Sequence, residues 1–310
     1  MADLSFLVKE KLHTGFGEEI KNASSYDDVL KQAGLNWTVG THDAYAQMGD
    51  KMVVVPGAQV VVRNEDEKPL GIVSDKYKLV NNEDAFAFTE SLFNSKDIEF
   101  IRGGSYRGGA CTWLESKVTG QYSILGDDID CYLIFMNSHD GSGSVKTFIV
   151  PERIACSNAL NFPLREAPRF WRCIHTGDPM KKIDEAKQIL LAGSSYMNAL
   201  EARVEMLNKI NISLQQVDSL IKILFPITDD LSDRQKDNRM IKRNELMSVY
   251  LNKDDLDDIS ETGYRFISAV ADYADHRDGK KTKNAAINRW VDTINGNPLV
   301  DRAYDLILTI

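Results

Sequence analysis

One short polar segment holds most of the residue types that could bind a ligand or support catalysis. The residues Asn137-Ser138-His139-Asp140-Gly141 separate two apolar, strand-like stretches, and further polar residues follow shortly afterwards. Such side chains are costly to bury without hydrogen-bond partners. We therefore expect them to be hydrogen-bonded within the fold or to face a ligand. The candidate ligand contacts are His139, Asp140, Arg153 and Asn158.

The same segment also has a purely structural interpretation. Asp140 precedes Gly141, a pair that is typical of turns, and its carboxylate can accept backbone N–H groups. Residues 141–144 contain only Gly and Ser, so backbone N–H groups there could approach a phosphate. The segment lacks the helix and the lysine of a P-loop, which argues against nucleoside triphosphate binding.

Metal binding stays open as an alternative, as does nucleophilic catalysis by Cys156 with His139 or His175 as the base. Cys156, Cys173 and His175 could form a metal cluster, although zinc ligands usually come in closely spaced pairs. Near the C-terminus, Asp272 and His276 are four residues apart and can meet on one helix face. A metal-dependent hydrolase would combine two segments of the chain: His139 and Asp140 with Asp272, Asp275 and His276. A non-catalytic binding protein, which is the leading hypothesis stated below, would need no catalytic residue, metal or cofactor.

Cations and aromatic residues alternate around one predicted strand. Proteins that bind single-stranded nucleic acid use such mixtures, because cations hold the backbone while rings stack on bases. The candidate nucleic-acid contacts are Arg165, Arg169, Trp171, Arg172, Lys181 and Lys182, with Tyr106 as a second stacking residue. Two further basic segments, at 234–243 and 277–283, are either solvated surface or parts of the same groove.

Composition sets the limits for these hypotheses. The chain has 310 residues, 43% of them hydrophobic, and a net charge of −9, which requires any polyanion site to be a local patch. The apolar stretches are too short to cross a bilayer, and the N-terminus lacks the features of a signal peptide. We therefore expect a cytoplasmic protein that does not contact membranes, with its four cysteines reduced and buried.

The hydrophobic periodicity predicts an α+β fold. Strand-like segments separated by polar or glycine-rich turns dominate up to about residue 178, with short helices at 25–34 and 82–93. These patterns predict an antiparallel sheet with a helix packed on one face. From residue 179 the period is near 3.6, which predicts a mostly helical region. The expected domains are 1–178 and 179–310.

Three segments together resemble the phage/plasmid-like protein family, a domain of unknown function common in phages, prophages and plasmids. They are Leu70 to Asn82, the Asn137–Gly141 turn with the residues that lead on to His175, and Ala269 to His276. Thr262 to Phe266 departs from the family pattern. The resemblance implies a curved sheet backed by a helix, similar in outline to the phage single-strand annealing proteins.

The leading hypothesis is a non-catalytic, phage-type accessory protein that binds single-stranded DNA, promotes annealing and forms homo-oligomers in the host cell cytoplasm. An alternative is an interaction protein that binds a host defence protein, for which the acidic net charge is suited. The metal-dependent hydrolase is the third hypothesis.

Overall fold

The structure is a computed structural model that describes residues 17–120, 122–153, 158–159, 170–179, 181, 188–276 and 285–310. Strands make up most of its first half. They are β1 (Glu18–Glu19), β2 (Val39–Met48), β3 (Lys51–Arg63), β4 (Lys68–Ser74), β5 (Ile98–Tyr106), β6 (Cys111–Val118), β7 (Tyr122–Ile124), β8 (Asp127–Ser138), β9 (Val145–Arg153), β10 (Asn158–Ala159) and β11 (Phe170–Cys173).

These strands form two antiparallel sheets. The main sheet has the order β1-β5-β6-β8-β9-β10, with β11 also pairing β9 and β7 pairing β8, and the small sheet has the order β2-β3-β4. A hairpin around residues 64–68 joins β3 to β4, with Arg63 opposite Lys68. The α+β class and the antiparallel pairing expected from the sequence are therefore confirmed.

Helices occupy the short connections and the second half. They are α1 (Tyr26–Gln32), α2 (Asn82–Phe86), α3 (Glu90–Asn94), α4 (Gln188–Asn208), α5 (Leu214–Leu224), α6 (Asp233–Asn252), α7 (Gly263–His276), α8 (Ala285–Asn295) and α9 (Pro298–Ile307). Ser25 caps α1 by accepting the N–H of Asp28, as its sequence predicts. The helix expected at 82–93 is divided into α2 and α3 by a 3₁₀ turn, Ala87–Thr89.

The central strands of the main sheet are apolar on both faces. Leu114, Phe135 and Ile149 belong to the larger core, and the ring of Phe88 meets that of Phe135 edge-on at 5.4 Å. On the opposite face, the ring of Trp113 lies 4.8 Å from that of Trp290 in α8. Helical residues therefore cover both faces of the sheet.

The larger apolar core extends into the helical half. It contains Phe135 of β8, Leu200 of α4 and Phe266 of α7, all of which are fully buried. The division of the chain at residue 178 stays a prediction. Within the described ranges, no helix combines the length and the apolar composition needed to cross a membrane.

Candidate functional site

Four connections meet at one end of the main sheet. The hydroxyl of Tyr77 donates to the carbonyl of Ser138 at 2.7 Å, and the N–H of Lys78 donates to the carbonyl of His175 at 2.8 Å. The N–H of His139 donates to the carbonyl of Ala110, also at 2.7 Å. Two backbone hydrogen bonds and one from the Tyr77 hydroxyl thus join the segment that follows β4, the turn before β6, the turn after β8 and the segment after β11.

Asp140 organises the turn at 139–144. Its Oδ1 accepts from the hydroxyl of Ser138 at 2.7 Å and from the N–H and hydroxyl of Ser142 at 2.9 and 2.6 Å. Burial opposes its ionisation, but the hydrogen bonds from Ser142 and Ser138 prevail and hold the pKa of Asp140 below its ordinary value. The carboxylate therefore stabilises the turn, as the turn interpretation of the sequence predicts.

His139 lies fully buried in a polar cluster centred on Asn82. The amide nitrogen of Asn82 donates to the carbonyl of Leu35 at 3.1 Å, which leaves its oxygen to accept. That oxygen lies 3.0 Å from the hydroxyl of Thr112 and 3.0 Å from Nε2 of His139. We therefore assign the proton of the neutral imidazole to Nε2. Its Nδ1 is a bare acceptor to which no described residue donates a hydrogen bond.

His175 is held in a similar way nearby. Its Nδ1 lies 3.2 Å from the carbonyl of Lys78, to which it donates, and its buried Nε2 has no hydrogen-bond partner in the described ranges. Its ring stacks on that of Tyr77 at 4.7 Å. Burial lowers the pKa of both histidines, to about 4 for His139, where the proximity of His175 adds to the effect. Both imidazoles are therefore neutral at physiological pH.

A glycine allows the small sheet to approach this turn. A Cβ atom built on Gly71 of β4 would lie 2.5 Å from Cα of Asp140. Real Cβ atoms do not approach a backbone atom so closely, so only glycine fits here. Gly71 falls within the Leu70–Asn82 segment, which now proves to be adjacent to the 137–141 segment in space.

Two cations lie side by side on the face of the sheet that carries Trp113. Lys146 of β9 is in direct register with Arg172 of β11 and with Met136 of β8. Arg172 is exposed, and Lys146 is half-buried with Nζ 3.5 Å from Oδ1 of Asn295. Burial and, to a lesser degree, Arg172 lower the pKa of Lys146. Neither cation has a carboxylate partner among the residues that the structure describes.

Aromatic rings border these cations. Phe170, two residues before Arg172 on the same strand face, is half exposed. Tyr106 is half-buried at the end of β5, and burial raises its pKa. The guanidinium of Arg107 lies 5.9 Å from the Tyr106 ring and 3.9 Å from the Asp140 carboxylate. We call the group Tyr106, Arg107, Lys146, Phe170 and Arg172 the Lys146–Arg172 face.

The predicted nucleic-acid contacts are separated by strand alternation. Trp171 points to the opposite side of β11 from Arg172 and packs, partly buried, against the larger core. Lys181 is exposed, and its backbone N–H donates to the Asp178 carboxylate. Arg165, Arg169 and Lys182 lie outside the described residues. Lys146 and Phe170, which no local sequence pattern singles out, lie next to Arg172 on its side of the sheet.

The other candidates do not assemble into a metal site in the described part of the chain. Asp272 forms an ion pair with Lys253 at 3.2 Å, and Asp275 accepts from the hydroxyl of Thr293 at 2.6 Å. His276 ends α7, and its side chain is outside the description. No group of three or more His, Cys, Asp or Glu side chains that could hold a metal occurs among the described residues. Cys156 lies beyond them.

The remaining predicted residues are Arg153, Asn158 and the two basic segments. Arg153 and Asn158 are backbone partners across β9 and β10. In the basic segment at 234–243, the guanidinium of Arg243 donates to the carbonyl of Phe225 at 2.9 Å and so caps the end of α5. The segment at 277–283 lies outside the described residues.

Comparison with known proteins places this arrangement within one family. No curated protein and no solved structure matches the chain. A family described as Domain of unknown function (DUF932) matches residues 69–292, a range that begins in β4 and includes the Gly71 contact, the 137–141 turn, Lys146, Arg172 and His175. Since this range covers well over half of its length, the chain belongs to the DUF932 family.

Proposed function

We propose that this chain binds single-stranded DNA and that the Lys146–Arg172 face holds the phosphate backbone. One observation carries the proposal: Lys146 and Arg172 are in direct register without a carboxylate partner among the described residues. Like charges directly opposite each other destabilise a sheet. An anionic ligand between the two side chains would remove that repulsion, which is a reason for such a pair at a binding site.

The neighbouring rings fit the same ligand class. Phe170 exposes half of its surface on the side of Arg172, and Tyr106 lies at the end of the same sheet face. Aromatic rings stack on any base, whereas cations bind any phosphate, so this combination favours binding with little sequence preference. In the proposed role, stacking belongs to Phe170 and Tyr106 rather than to Trp171, because Trp171 packs against the core.

The wider role follows the resemblance to the phage/plasmid-like proteins. In the proposed role, the chain is a non-catalytic accessory factor that promotes annealing of single strands in the host cell cytoplasm. Binding requires no bond to be formed or broken, so the neutral histidines and the turn carboxylate need only a structural role.

A titration of labelled single-stranded oligonucleotide in a gel-shift assay tests the proposal. The wild-type chain should bind at low salt, and Lys146→Ala and Arg172→Ala should each weaken binding about tenfold, as expected when a charge-assisted contact of roughly 1.5 kcal/mol is lost. Phe170→Ala should weaken it by a similar factor through lost stacking.

Lys222→Ala is the matched control. Lys222 is an exposed cation on α5 that already pairs with Asp218, so its loss should leave binding unchanged. Absence of binding at low salt, or equal loss in the control and the Arg172 variant, would contradict the proposal.

A further inference from the structure

The helix on the Trp113 side of the main sheet ends at a chemically labile pair of residues. α8 ends at Asn295, which is exposed, and Gly296 follows it with a φ of 97°. This is the only Asn-Gly pair in the sequence. The next backbone nitrogen attacks an asparagine amide most easily when it belongs to glycine, because no Cβ hinders the approach. Asn295 is therefore the asparagine most open to loss of its amide group.

The side chain of Asn295 contacts a cation of the Lys146–Arg172 face. Nζ of Lys146 lies 3.5 Å from Oδ1 of Asn295, while Nδ2 of Asn295 donates to the carbonyl of Val291 at 2.7 Å. Negative charge develops on Oδ1 when a nucleophile attacks the amide carbon. A cation that already lies beside this oxygen stabilises the transition state more than the ground state. Lys146 therefore favours the reaction at Asn295.

Two hydrogen bonds restrain the pair. Besides the bond from Asn295 to Val291, the N–H of Gly296 donates to the carbonyl of Thr293 at 3.2 Å. Both bonds belong to the end of a helix, where fraying opens the backbone at little cost in free energy. Opening of this last turn alone frees the Gly296 nitrogen for attack.

We propose that Asn295 deamidates spontaneously, and that the carboxylate so formed pairs with Lys146 and weakens DNA binding at the Lys146–Arg172 face. The Gly296 nitrogen bonds to Cγ of Asn295 and loses its proton, the bond from Cγ to Nδ2 breaks, and ammonia leaves with that proton. Water then opens the succinimide at either carbonyl, which gives aspartate or isoaspartate. The reaction consumes only water and needs no oxidant or reductant.

The new carboxylate has a reason to engage Lys146. It lies at the C-terminal end of α8, where the helix dipole disfavours an anion. A hydrogen bond from an ammonium to a carboxylate is stronger than one to a neutral amide, and it also relieves the repulsion between Lys146 and Arg172. A Lys146 that is paired in this way is lost to phosphate. This effect on DNA rests on the proposed function, whereas the reaction at Asn295 does not.

Peptide mapping of the full chain tests the reaction. The chain is incubated for days at neutral pH and digested with trypsin, and the peptide 290–302 is analysed by mass spectrometry. Aspartate and isoaspartate should accumulate at Asn295. Asn297 lies in the same peptide and should stay unchanged, because the residue that follows it is Pro298, which has no N–H.

Asn252 is the matched control for position in a helix. It ends α6 and donates to the carbonyl of Ser248 at 3.2 Å, as Asn295 donates to Val291, but a lysine follows it in place of glycine. It should convert far more slowly than Asn295. Equal conversion at the two positions, or none at Asn295, would overturn the proposal whether or not the chain binds DNA.

A second variant tests the part of Lys146. Lys146→Met keeps the length of the side chain but removes the charge, and it should slow conversion by about threefold to tenfold, the effect of one modest hydrogen bond on a transition state. Lys222→Met, which removes an exposed cation of α5 that already pairs with Asp218, should leave the rate unchanged. An unchanged rate in Lys146→Met would refute the assistance by this lysine.

The effect on DNA is measured with labelled single-stranded oligonucleotide. Asn295→Asp and the aged wild-type chain should each bind about tenfold more weakly than the fresh chain. Asn297→Asp adds the same charge two residues away and should bind as the fresh chain does, since aspartate also serves as the cap that accepts the Leu299 N–H. Circular dichroism verifies that each variant is folded.

The two proposals fail in different ways. Absence of DNA binding by the fresh wild-type chain would overturn the proposed function and the effect of the new carboxylate, while the peptide map alone decides the reaction at Asn295. Binding by the fresh chain that Asn295→Asp leaves unchanged, or that Asn297→Asp weakens equally, would overturn the pairing with Lys146.

Discussion

At the scale of single residues, the polar segment at 137–141 gains its role from partners that are distant in sequence. Asp140 stabilises its own turn, as the Asp-Gly pair predicts. The partner of His139, however, is Asn82, 57 positions earlier. A sequence cannot show which oxygen a buried imidazole will reach, and so the histidine was open to ligand, metal and structural interpretations alike.

The buried neutral state of His139 predicts a loss of stability in acid. The unfolded chain takes up a proton below the ordinary pKa of 6.5, whereas the folded chain does so only near pH 4. The free energy of unfolding should therefore fall as pH decreases from 6.5 towards 4, by at most about 1.4 kcal/mol per pH unit for this group. Urea unfolding between pH 7.5 and 4.5 measures this fall. His139→Gln should reduce its slope, and an unchanged slope would refute the prediction.

Asn82 should contribute more to stability than a surface amide. Replacement by Ala leaves the carbonyl of Leu35, the hydroxyl of Thr112 and Nε2 of His139 without their partner in a buried space. We expect a loss of roughly 1–3 kcal/mol or more in urea unfolding. Asn64→Ala is the control, since that exposed amide donates a single bond to the Thr38 hydroxyl. Equal effects of the two substitutions would contradict the role of the cluster.

At the scale of elements, the local residue pattern predicts the type and approximate position of helices and strands. It does not predict how the strands align with one another. α1 lies within the helix expected at 25–34, and α2 and α3 together extend over residues 82–94, close to the helix expected at 82–93. The pairing of Lys146 with Arg172 depends on how β9 and β11 align, which a single sequence does not encode locally. Once β11 is known to be a strand, alternation does place Trp171 opposite Arg172 and Phe170 on the side of that cation.

Glycine substitutions test the contact between the two sheets. Gly71→Ala should destabilise the chain, because its Cβ would lie 2.5 Å from Cα of Asp140, a backbone atom that cannot rotate away. Gly193→Ala in α4 should instead stabilise it by about 0.5–1 kcal/mol, since Ile149, at 4.0 Å, is the only described neighbour of the added Cβ and alanine favours helix. Thermal unfolding of both variants gives the comparison. A neutral Gly71→Ala would mean that the two sheets do not meet as described.

At the scale of the whole molecule, the net charge and the local charge lead to different expectations about the binding of DNA. A net charge of −9 repels a polyanion, whereas the Lys146–Arg172 face concentrates two unpaired cations in the described part of one sheet. Net charge acts over distances comparable to the Debye length, about 10 Å at 0.1 M salt, while direct phosphate contacts act within a few ångströms. Salt therefore weakens both the general repulsion and the local attraction.

The number of phosphate contacts can be measured from this balance. Each contact with single-stranded DNA contributes about −0.7 to the slope of log affinity against log salt concentration. Contacts from Lys146 and Arg172 alone predict a slope near −1.4, and Arg172→Ala should reduce it to about −0.7. Fluorescence anisotropy titrations at several salt concentrations give both slopes, with Lys222→Ala as the unchanged reference. A slope near zero in the wild-type chain would show that binding does not rest on phosphate contacts, whereas a much steeper slope, insensitive to Arg172→Ala, would assign them to cations elsewhere in the chain.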